Sequence, residues 1–161
     1  MIEQSSAGGG RIFLSVIAGL LLAIVPLPNW LQPLRPDFLL LFAIYWSLTA
    51  PRIAGLVFAW ICGFCIDILQ GLVLGQHAIA FLVVSYLTHR VQLRMRIFPV
   101  WQQAGAVFLL LFAYQFIVFW IDGIVGHPVI TFARWLPVLT GALSWPLMVA
   151  AFDTWVRPRR Y

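Results

Sequence analysis

The sequence predicts an all-α integral membrane protein, a single transmembrane domain of six helices over residues 1–161. Three observations predict it. Hydrophobic residues make up 63% of the chain and charged residues 9%, with a mean hydropathy of +0.97. A soluble domain carries about 25% charged residues. The apolar residues fall into six runs, and the arginines sit at the ends of those runs. Inside lipid every backbone polar group must be satisfied within the protein, and long apolar runs achieve that as helices.

The first span, 12–25, breaks at Pro26-Leu27-Pro28. Its apolar core is like that of a signal peptide, but no small-x-small site follows it, so an uncleaved first helix is expected. The second, 37–49, opens after Pro36, which suits a helix start, and Asp37 complements the helix dipole in the first turn. Such a helix reaches about 20 Å, short of a hydrocarbon core of about 30 Å. It should therefore pack against protein or sit where the membrane thins. The third span is 53–74 and the fourth 78–88. A polar segment from His89 to Pro99 separates the fourth from the fifth, 100–124. The sixth, 136–156, contains Pro146, an expected kink. Trp30, Trp101, Trp120, Trp135 and Trp155 lie near span ends, as interfacial anchors do.

The third span carries a ladder: Gly55, Ala59, Gly63, Asp67, Gly71 and Gly75 fall at every fourth position. On a helix that spacing drifts by about 40° per step, so Gly63, Asp67 and Gly71 share a face. Small residues let membrane helices approach closely, and an acid among them points into the bundle, since a carboxylate in lipid costs on the order of 3 kcal/mol.

Topology follows from the arginines; the chain has ten and no lysine. With the N-terminus inside, Arg11, Arg52, Arg90, Arg94, Arg96, Arg157, Arg159 and Arg160 fall on the inner side, and Arg35 and Arg134 on the outer. Eight against two is a positive-inside bias, and it puts both termini in the cytoplasm. Arg35, Asp37, Gln76, His77, Asp122, His127 and Arg134 then gather at the outer ends of spans, and Asp67 lies in the outer half of the bilayer. The plainer reading of the loop residues is solvated caps. For Asp67 the expectation is an outward-opening cavity or a pair with Arg35 or Arg134.

Other motifs lead nowhere. Cys62-Gly63-Phe64-Cys65 has C-x-x-C spacing, but it is mid-helix and no second cysteine pair exists to pass electrons on. His77, His89 and His127 are too dispersed for a metal site. No Ser-His pairing, H-E-x-x-H or phosphate loop is present. Arg90, Arg94 and Arg96 form a basic amphipathic segment suited to a cytoplasmic partner or to anionic headgroups. Scattered as they are, the charges form no nucleic-acid surface. Tyr114 and Gln115, mid-span, read as core packing that could bond across helices.

Arg35-Pro36-Asp37-Phe38-Leu39-Leu40-Leu41 at the start of a short helix resembles the rod-shape-determining MreD family. So does the run from Gly63 through Asp67, Gln70 and Gly71 to Leu74-Gly75-Gln76-His77-Ala78. Phe98-Pro99, Trp101-Gln102-Gln103, Tyr114-Gln115, Trp120-Ile121-Asp122-Gly123 and the Arg-rich end match the proteobacterial form; the cysteines depart from it. The resemblance covers nearly the whole chain. It implies a non-enzymatic inner-membrane component of the peptidoglycan elongation machinery, without cofactor. Its implied partner is MreC, with MreB, RodA and a class B penicillin-binding protein beyond; a homodimer is compatible with it. It also implies a fold similar to the six-helix substrate-binding subunits of energy-coupling-factor transporters. The candidate partner or cavity residues are Arg35, Asp37, Gly63, Asp67, Gly71, Gly75, His77 and Asp122. The alternative reading is a substrate-binding subunit for a small molecule or lipid precursor, disfavoured because a single intramembrane acid offers no ion relay.

Overall fold

The structure, a computed structural model, describes residues 3–71, 73–126 and 131–156. His127, Arg157, Arg159 and Arg160 lie outside the described residues. Among the described residues six α-helices run in order: α1 (Glu3–Ile24), α2 (Phe38–Thr49), α3 (Leu56–Gln70), α4 (Gln76–Met95), α5 (Val100–Val125) and α6 (Leu136–Val156). Two 3₁₀ turns, Gln32–Leu34 and Phe132–Trp135, precede α2 and α6. No strand occurs among the described residues. The segments Val100–Val125 and Phe132–Trp155 are long and apolar enough to cross a membrane; Gly9–Ile24 and Leu56–Gln70 are shorter apolar helices.

At its centre lies α2. Every residue from Leu39 to Leu48 is buried, and a helix apolar on all sides belongs inside a bundle. Twelve residues reach only about 18 Å, and the expected shortfall is met by protein packing. α1 and α4 lie against α2, while α6 touches it through Tyr45, Trp46 and Phe152. Phe152 stands 4.9 Å from the rings of both Phe42 and Tyr45.

Helix bounds differ from the spans chiefly in three places. α1 already begins at Glu3, nine residues ahead of the expected start at 12. α4 continues through the polar stretch to Met95, because His89, Arg90 and Arg94 are good enough helix residues once the helix has been started. The ladder, in contrast, is not one helix. α3 ends at Gln70, Gly71 takes a left-handed conformation (φ +63°) and Gly75 another (φ +102°) immediately before α4. Glycine carries no Cβ penalty there, so the last two rungs build a tight turn. Gly55 is the extended N-cap of α3, and Ala59, Gly63 and Asp67 lie on a buried face. That face consists of Ala59, Cys62, Gly63, Ile66 and Asp67. α4 packs on it, more extensively than any other pair of helices in the bundle. Gly63 is the closest approach: a Cβ there would lie 2.6 Å from Ala78 Cα and from the His77 carbonyl oxygen. α6 runs on past Pro146 without interruption.

Candidate functional site

Asp67 is completely buried, and its carboxylate closes the start of α4. Gly75 N–H donates to Oδ2 at 2.8 Å, His77 N–H to Oδ1 at 3.0 Å and Ala78 N–H to Oδ2 at 3.4 Å. His77 Nδ1 stands 2.8 Å from Oδ1. A helix start leaves orphan N–H groups that a side-chain oxygen at the N-cap normally satisfies. The N-cap here is Gly75, which has no side chain, so Asp67 serves from the preceding helix. Backbone donors and the positive end of a helix offset the cost of the buried acid. This corrects the expected pairing. Asp67 bonds to neither Arg35 nor Arg134 and does not line the large cavity; the nearby helix start meets its needs first.

That cavity, about 1070 Å³, lies at one end of the bundle. Its lining comes from the C-terminal ends of α1, α3 and α5 and the N-terminal ends of α2, α4 and α6. Consecutive helices therefore alternate in direction, which is why residues far apart in sequence converge there. Arg35, Asp37, Gly71, His77 and Asp122 line it, whereas Gly63, Asp67 and Gly75 stand behind it in the α3–α4 seam. Asp122 accepts from the Arg134 guanidinium and the Gln76 side-chain amide, tying α5, the 3₁₀ turn before α6 and α4 together. Arg35 Nη1 donates to the Val25 carbonyl at 3.2 Å.

Two cavity residues read as core packing also belong here. Tyr114 and Gln115 line the space, and the Tyr114 ring lies 5.9 Å from His77 and 5.7 Å from Phe81. The signal for them was their spacing. Tyr114, Gln115, Val118 and Asp122 fall on one face of α5, so a polar end marks the whole face as cavity-lining.

Arg90, Arg94 and Arg96 lie at the opposite end, on the last turns of α4 and just beyond. Arg90 lies over the Tyr86 ring, 5.2 Å from its centroid, and donates to its hydroxyl. Arg94 is exposed. Arg96 does more than present charge, because its Nε donates to the Leu48 carbonyl at 2.9 Å and its Nη2 to the same oxygen, closing the C-terminal end of α2. Cys62 is buried and Cys65 half-buried; both are free thiols. No group of three or more His, Cys, Asp or Glu arranged for a metal occurs among the described residues.

Apolar helices with a fully buried carboxylate between two of them, and charged residues gathered at the helix ends, define a helical membrane protein. Comparison with known proteins makes that class specific. Residues 6–153 match the family described as rod shape-determining protein MreD, and the chain belongs to that family. It is 25% identical over 130 residues to the rod shape-determining protein MreD of Haemophilus influenzae, an alignment covering 81% of this chain and 80% of that protein. No solved structure matches.

Proposed function

We propose that this chain is a non-enzymatic scaffold of the cell-elongation machinery. In this reading it crosses the bacterial inner membrane six times with both termini cytoplasmic. It binds MreC, and through it helps to organise MreB, RodA and a class B penicillin-binding protein around peptidoglycan synthesis. Family membership carries the reading, since the chain belongs to a cell-shape family over residues 6–153. The alternating helices support multiple crossings, because each connection turns the chain back through the bundle. The eight-to-two arginine asymmetry supports the orientation. Two short helices, α2 and α3, are compatible with it because α2 is shielded by protein and α3 is backed by α4. The buried cap at Asp67 supports a rigid framework.

The substrate-binding alternative rests on a specific observation, the cavity of about 1070 Å³, which is at the upper end of ligand-pocket sizes. A resemblance to energy-coupling-factor substrate-binding subunits belongs to the same proposal. Co-expression with MreC and purification in mild detergent separates the readings. A stoichiometric complex that survives size exclusion supports the scaffold. A chain that ignores MreC yet retains a small molecule overturns it.

A further inference from the structure

The charged groups around the cavity sort into those with a bonded ion-pair partner and those without one among the described residues. Asp122 is paired with Arg134, and Asp67 with the start of α4 and His77. Asp37 stands differently. It holds the N-cap position of α2 but makes no capping hydrogen bond, and among the described residues no ion pair reaches it. Arg35 and His77 line the same cavity, and neither forms an ion pair with it. Arg35 likewise has no carboxylate partner among the described residues; one of its guanidinium nitrogens bonds a carbonyl, and Nη2 has no hydrogen-bond partner. The cavity thus presents one acid and one base, two residues apart in sequence, each without a bonded ion-pair partner among the described residues.

Neutral polar groups stand beside them. Tyr114 and Gln115 are buried residues of the cavity lining, and they bring a hydroxyl and an amide to it. The rest of the lining is largely apolar, with Phe38 and Phe81 prominent. A simple anion would meet Asp37, and a simple cation would meet Arg35. A ligand carrying both charges satisfies both, and a polar group left unpaired in a partly enclosed site is costly.

We propose that the cavity binds a zwitterion that joins an ammonium to a phosphate or carboxylate, the ammonium facing Asp37 and the anion facing Arg35. Tyr114 and Gln115 supply the remaining hydrogen bonds. The source is either a phosphoethanolamine-type lipid headgroup entering from the bilayer or a free solute with the same charge pattern.

Native mass spectrometry of the full chain, stripped of lipid and offered equimolar phosphatidylethanolamine and phosphatidylglycerol, tests this. The expected result is at least fivefold preference for phosphatidylethanolamine, cut at least fivefold by Arg35→Gln and by Asp37→Asn. Asp153→Asn, at the other end of the bundle, should leave the preference unchanged. Free O-phosphoethanolamine, followed by thermal shift, distinguishes the sources. A stabilisation lost in Arg35→Gln assigns a soluble zwitterion; lipid adducts without it assign a headgroup. Equal retention of phosphatidylglycerol would sink the proposal, as would binding of neither probe. Should Asp37→Asn misfold, the wild-type lipid preference and Arg35→Gln still decide.

Discussion

Gly63 and Asp67 are one turn apart on α3, and both exist for the benefit of α4. The first gives up its side chain so that Ala78 can approach, and the second supplies the carboxylate that α4 lacks at its own start. Gly63→Val should therefore lower stability by about 1–3 kcal/mol, the usual range for overpacking a close contact. Gly105→Ala is the internal comparison, because a Cβ there meets open space. It should be neutral or raise stability by up to about 1 kcal/mol. Thermal melts of both in the same detergent check the pair. Asp67→Ala leaves the N–H groups of Gly75, His77 and Ala78 without their acceptor and should cost on the order of 2–4 kcal/mol. Asp67→Asn keeps one oxygen and should cost less, an ordering the same melts report. A role limited to solvated capping would leave both near wild type.

Among the elements, α2 is the one whose environment departs most from a membrane helix, being enclosed by neighbours along its length. Its C-terminal end depends on a side chain from elsewhere. Arg96 reaches the Leu48 carbonyl from beyond α4, where a helix end leaves its last carbonyls unpaired and carries partial negative charge. Arg96→Ala should destabilise the bundle by about 1–2 kcal/mol and raise amide exchange in the last turn of α2, measured by hydrogen–deuterium exchange. Arg94→Ala, whose side chain is exposed, should change neither. The two arginines look equivalent in the sequence. Their difference arises because the α4–α5 turn brings only Arg96 beside the end of α2.

At the scale of the whole molecule, the alternation of helix direction divides the protein into a cavity-bearing end and an end with the basic segment. With Cys62 and Cys65 replaced by alanine, a single cysteine at Gln32 should react with a membrane-impermeant maleimide in intact cells, and one at Arg94 only after lysis. The reverse pattern would invert the proposed orientation. The six helices were readable as six apolar runs, and the shortness of α2 pointed to packing against protein or a thinned membrane, of which the packing is seen. The convergence of Arg35, Asp37, His77 and Asp122 was readable too, once arginine asymmetry put them at one side. The ladder was legible only in part. Fourfold spacing identifies a small, close-packed face, but it cannot distinguish a continuing helix from one that ends, because glycine serves both close approach and left-handed turns. So Gly63 packs α3 on α4, whereas Gly71 and Gly75 break the chain between them. Composition and periodicity alone determined a helical membrane protein with one buried acid, since solvent preference and helix period are properties of the local chain. Which groups meet that acid was decided by the tertiary structure. The turn delivers the backbone N–H groups of α4 to Asp67, and hydrogen bonding depends on distances of a few ångströms that residue spacing does not set.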